Sequence, residues 1–172
     1  MSIKKVFTLL VAVLAGLLLF ASPSQAANGN AHFIKNATGA SLSGSSLVVH
    51  FKETGLASGA VETVTATANA ATTYECVNNG GKNPAASNKS TFKTEISKTE
   101  PFEADKNGNI VGTITLTPPT AQELGFSCPP GQDVTFVGVT YSNVVITDST
   151  SDASISLPGS FSYTNPAAPP VR

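Results

Sequence analysis

Asp105-x-Asn107-x-Asn109 sets three oxygen-bearing side chains at alternate positions, matching the first three ligand positions of a calcium loop. The match then ends. Ile110 stands where such loops need glycine, and Leu116 where they need a bidentate glutamate. A turn asks for nothing beyond Asn107-Gly108, which accept positive φ cheaply. These residues are therefore read first as a turn and only second as a metal site. Gly81-Lys82 would end a phosphate-binding loop if glycine stood at 76 and Ser or Thr at 83. Cys76 and Asn83 stand there instead, and that reading fails. His32 and His50 lack a third metal ligand at a telling spacing. Serines and acids are plentiful, but no GxSxG elbow supports a Ser-His-Asp arrangement. Glu53, Glu62, Glu75, Glu95, Glu100, Glu103 and Glu123 are scattered, and spacing selects no facing pair for glycoside hydrolysis. Asp148 and Asp152, in TDSTSD, could supply oxygen ligands, with a solvated turn the simpler account. Without Trp, only Tyr74, Tyr141, Tyr163 and a few Phe could stack on sugars. No catalytic residue and no cofactor is expected. The polar loop after Cys76 is the first place to look for a recognition surface, through Lys82, Asn83 and Asn88.

The elements that must position these residues read as strands. Period-two alternation with β-branched residues recurs between Gly, Pro, Asn and Asp. SSLVVHFKE (45–53) puts Leu47, Val49 and Phe51 on one face and His50 on the other. The run 60–77 puts Val64, Ala66, Ala68, Ala70, Thr72, Tyr74 and Cys76 on one face, with a bend expected near Asn69. STFKTEIS (90–97) groups Phe92, Thr94 and Ile96. Residues 101–118 read as a hairpin turning at 105–109. Residues 133–148 read as one bent strand or two, breaking near Ser142-Asn143, and 153–164 hold the last strand or two. Helix evidence is confined to one turn at 119–124. The fold class expected is all-β, an antiparallel β-sandwich, with a β-barrel as the alternative.

The ends of the chain carry their own signals. Lys4 and Lys5 precede an apolar run, Val6 to Phe20, followed by Pro23 and by small Ser24 and Ala26. That is the pattern of a signal peptide over residues 1–26, since a spanning helix needs about 20 apolar residues. One domain is expected over 27–164 and a disordered tail over 165–172. Loss of Lys4 and Lys5 takes the formal charge from −1 to −3. With no basic run, nucleic acid is excluded as a partner, and no segment suggests membrane binding after cleavage. Cys76 and Cys128 are the two cysteines, and an even pair in an exported chain reads as one disulfide. The sequons Asn36-Ala37-Thr38 and Asn88-Lys89-Ser90 are of the frequency expected by chance in an Asn/Ser/Thr-rich chain.

FEADKNGNIVGTITL (102–116) is similar to the acidic–x–Asn–Gly–x hairpins of bacterial extracellular immunoglobulin-like domains. Tyr74-x-Cys76 imitates a tyrosine corner, although there the cysteine is the second of its pair and here it is the first. Through HFIKNATGASLSGSSLVVHFKETGL, YECVNNGGKNP, SCPPGQ and FSYTNP, the chain resembles a family of small, uncharacterised secreted bacterial proteins. The resemblance implies an immunoglobulin-like sandwich and brings no activity with it. The expectation is a secreted, monomeric, non-enzymatic protein that binds an extracellular polymer or protein. A small secreted hydrolase, or an inhibitor or effector, is the alternative.

Overall fold

The structure is a computed structural model that describes residues 30–78 and 88–169. The strands are β1 His32–Phe33, β2 Gly39–Ser43, β3 Ser46–Thr54, β4 Val61–Asn78, β5 Lys89–Glu103, β6 Asn109–Leu116, β7 Gln132–Asp148 and β8 Ser154–Thr164. They form two antiparallel sheets that do not close into a barrel, so the fold is an all-β sandwich. In sheet A, β3 pairs with β1, β2 and β6. In sheet B the order is β5-β4-β7-β8.

The core lies where alternation puts apolar side chains on the facing sides of the two sheets. Sheet A supplies Leu47, Val49, Phe51, Ile110, Ile114 and Leu116. Sheet B answers with Val64, Ala66, Ala68 and Ala70 from β4 and Val139, Tyr141, Val144 and Ile146 from β7. The small β4 residues leave room for the larger side chains opposite. Phe51 meets Phe33 and Phe102 edge-on, with centroids 5.7 and 5.0 Å away. Gly112 lies in register with Phe51. A Cβ there would overlap the Phe51 and Phe102 rings, so the core requires glycine at that point.

Sheet B is the longer layer. β4 has 18 residues, roughly 60 Å of extended chain, whereas β3 has 9, about 30 Å. Two contacts fix how sheet A sits on sheet B. The Tyr141 hydroxyl donates to the Ser45 carbonyl at 2.6 Å, and Ser151, beyond β7, reaches Glu53 at 2.9 Å. Sheet A thus covers the stretch of β7 from about 141 to 148. The remaining inner face of sheet B is covered by the segment joining β6 to β7. There Tyr74 donates to the Pro119 carbonyl, Phe126 packs against Tyr74 and Phe92, and Cys128 is bonded to Cys76 with Cα atoms 5.6 Å apart. The disulfide therefore joins sheet B to a connection, not to sheet A. Where a helical turn was expected, residues 121–125 form a hydrogen-bonded turn that is not part of a helix. Thr120 and Glu123 form a reciprocal capping box, and Gly125 ends it at φ 67°.

One expectation is corrected. Residues 105–109 do turn, with the Gly108 amide donating to the Asp105 carbonyl at 2.9 Å. But β5 and β6 are not a hairpin: β5 pairs with β4, and β6 with β3. Both strands are already committed, up to Glu103↔Val61 and from Asn109↔Thr54. The turn therefore crosses between sheets, laced to the oppositely directed crossing at 55–60 by Leu56 N–H to Gly108 O and Ala104 N–H to Ala60 O. The two stretches 90–97 and 101–103 are one strand. The bends foreseen near Asn69 and Ser142-Asn143 are a single feature. β7 carries an extra residue opposite Ala68, with Asn143 at φ 51°, and β8 answers with Pro158-Gly159.

Candidate functional site

The recognition and calcium candidates singled out from the sequence do not converge. Lys82 and Asn83 lie outside the described residues, and Asn88 is half-buried just before β5. Asp105 spends its carboxylate on its own turn. Its Oδ1 accepts from the Asn107 and Asn109 amides at 2.8 and 2.9 Å. Those donors, Asn109 foremost, hold the carboxyl below its usual value. Asn109 Oδ1 accepts from the Thr54 hydroxyl at 2.7 Å. His32 Nδ1 is 2.7 Å from the Asn30 carbonyl, while the exposed His50 ring lies over Gly39. Among the described residues no three His, Cys, Asp or Glu side chains are arranged to hold a metal ion. Asn36 is exposed on a short 3-10 turn, Lys35–Ala37.

The acids that do converge were not separable by spacing. Glu53, Glu62 and Asp148 are fully buried at one end of the sandwich. Ser151 Oγ lies 2.9 Å from Glu53 Oε1 and 2.8 Å from Asp148 Oδ2. Burial first, then the Asp148 carboxyl, push the Glu53 carboxyl up to about 7, against the Ser151 hydrogen bond. A carboxyl pair of that kind can do acid–base chemistry only where a substrate reaches it. Here the carboxyls are sealed inside the sandwich.

What reaches solvent over a wide area is the outer face of sheet B. Alternation sends β4 residues Thr63, Thr65, Thr67, Asn69, Ala71 and Thr73 outward. The register then lines them up with outward residues of the other three strands. Across the sheet from β5 to β8, one row reads Thr99, Thr65, Thr147, Ser154. The next reads Ser97, Thr67, Val145, Ser156, and the third Glu95, Asn69, Ser142, Ser160. The fourth is Lys93, Ala71, Thr140, Ser162, and the fifth Thr91, Thr73, Gly138, Thr164. Rows of this kind repeat about every 4.8 Å between strands and roughly 6.6–7 Å along them, with the repeat interrupted by the bulge between the second and third rows. Some neighbours bond to each other: Thr65 to Thr99 and Thr73 to Thr91 at 2.8 Å, and Thr140 to Ser162 at 2.9 Å. Within the rows only Lys93 and Glu95 are charged, and none of the side chains is aromatic. At the bulge the face dips into a concavity of 380 Å³ lined by Asn69, Ala71, Lys93, Glu95 and Ser142.

The alternating threonines of β4 were visible in the sequence. Their continuation over three more strands was not, because it depends on register between strands far apart in sequence, β4 and β7 among them. Sheet A presents a different exterior, with Val111 80% exposed beside His50 and Lys52. A second groove, of 560 Å³, opens between β2 and β8 and is lined by Ala40, Ile155, Leu157 and Phe161 among others. Among the described residues no helix is long and apolar enough to cross a membrane. Comparison of the chain with protein-family models, with curated proteins and with solved structures finds no match in any of the three.

Proposed function

We propose that this protein is exported, loses residues 1–26, and acts without catalysis as a binding protein for a neutral, hydroxyl-rich polysaccharide. The binding surface is the outer face of sheet B. The observation that carries the reading is the five-row array across β5, β4, β7 and β8, in which hydroxyl or amide side chains hold most positions. A hydroxyl both donates and accepts, so a periodic array of them suits a periodic, uncharged polymer. Each such bond exchanges for one to water and is weak, so affinity depends on many contacts at once. The scarcity of charge on the array argues against a strongly charged partner. Export is supported by the N-terminal pattern and by the Cys76–Cys128 disulfide, which suits an oxidising compartment. Threonine is also a good strand former on any solvated face, so recognition and stability are measured side by side.

The test uses chain 27–172 sedimented with insoluble cellulose, chitin and starch granules. Retention on at least one is expected, and Thr67→Lys with Ser162→Lys should lower it at least tenfold with Tm unchanged. Retention indifferent to these substitutions, or absent from every neutral polysaccharide, overturns the proposal. Release of soluble sugar would make the protein a hydrolase instead. Inhibition of ice recrystallisation without polymer retention would assign the face to ordered water.

A further inference from the structure

The buried acid cluster has a proton count that can be read from its geometry. Ser151 Oγ accepts from the Ala153 amide at 3.3 Å. It also lies within hydrogen-bond distance of both Glu53 Oε1 and Asp148 Oδ2. A hydroxyl carries one proton and can donate to only one of them. The other contact is a hydrogen bond only if that carboxyl is itself protonated and donates to Oγ. A closed cluster therefore holds one carboxyl proton more than two ionised acids would.

Among the described residues, no cation acts on Glu53 in place of that proton. The charged groups acting on Glu53 are Asp148 of β7 and Glu62 of β4. From the flanking strands its register partners are Phe33 of β1 and Ile110 of β6, neither titratable. Glu53 belongs to sheet A, and Asp148 ends β7 of sheet B. Asp148 also organises the β7–β8 connection, its Oδ1 accepting from the Thr150 amide at 2.8 Å. That connection is tied back to β4 by the Ser149 amide to Thr63 O and by the Thr63 amide to Thr150 Oγ1, both at 3.1 Å.

We propose that Glu53, Asp148 and Ser151 form a proton-dependent latch joining sheet A to the β7–β8 connection of sheet B. With the shared proton in place, the latch is closed and residues 148–153 are held. With both carboxyls ionised, two negative charges face each other without a bridging proton, Ser151 keeps one partner, and the connection loosens. The raised affinity of Glu53 for its proton places the change near neutral pH. The latch is independent of what sheet B binds.

Amide hydrogen exchange on chain 27–172 at pH 5.5 and pH 8.5, corrected for intrinsic exchange, reads the latch directly. Protection of residues 148–153 should fall about tenfold at the higher pH and stay well below that of β4 residues 64–67, which follows global stability. In Glu53→Gln, which cannot ionise, protection at 148–153 should be equal at the two pH values. Equal protection in the native chain, or an undiminished pH effect in the variant, overturns the latch. If the variant does not fold, carbon-13 NMR titration of the native chain decides. A Glu53 carboxyl titrating near pH 7 supports the latch, and one ionised by pH 5 overturns it.

Discussion

At the scale of single residues, the buried polar groups set measurable terms. Glu53 binds its proton more tightly folded, at about 7, than at the ordinary glutamate value of 4.5. Between those values the native state holds a proton that the unfolded chain has released. Its contribution is therefore complete below pH 4.5, falls as pH rises, and is gone above about 7. The integrated loss is at most roughly 3 kcal/mol. Urea unfolding of the native chain from pH 4.5 to 8 should show this decline, and Glu53→Gln should flatten it. Tyr141 makes a different bond between layers. It is fully buried, its phenol pushed up to about 12 by burial, and its hydroxyl donates to Ser45 O. Tyr141→Phe leaves that carbonyl unpaired and should cost about 1–2 kcal/mol in urea unfolding at any pH from 5 to 9. Gly112→Ala drives a methyl into Phe51 and Phe102 and should cost about 1–3 kcal/mol.

At the scale of elements, the outcome depended on where each strand's partner came from. Strand existence and inward faces follow from local alternation, so Leu47, Val49 and Phe51 were legible, as was the break in β7 at Asn143. The 105–109 turn was legible too, but not its destination, because the competition from β3 and β4 is non-local. The same holds for the acid cluster, where Ser151 meets Glu53 across 98 positions. β5 is one edge of sheet B, and it carries edge protection: Lys98 and Glu100 lie on its inward side, 2.7 Å apart, followed by Pro101. Beyond sheet A, the inner face of sheet B relies on the β6–β7 segment and its disulfide. The bond closes a loop with a sequence separation of 52, for which chain entropy gives about 4 kcal/mol. Cys76→Ser with Cys128→Ser should lower stability by about 2–4 kcal/mol. The loss of near-ultraviolet dichroism should be centred on the Tyr74, Phe92 and Phe126 group, with the Phe51 core retained until global unfolding.

At the scale of the whole molecule, the sandwich is two unlike faces on one core. Sheet A is short and mixed outside, with Val111, His50 and Lys52. Sheet B is long and presents hydroxyls across four strands. That asymmetry is the basis for assigning recognition to one side of the protein, and it supplies an internal control. Thr113 and Thr115 of β6 belong to sheet A, whereas Thr65, Thr67 and Thr140 belong to the array on sheet B. The most direct measurement is threonine-methyl NMR of chain 27–172 as a retained polysaccharide is added in suspension. The account predicts that Thr65, Thr67 and Thr140 lose intensity first, while Thr113 and Thr115 persist. Equal loss at all of them, or loss at Thr113 and Thr115 with the sheet B methyls unchanged, would contradict it.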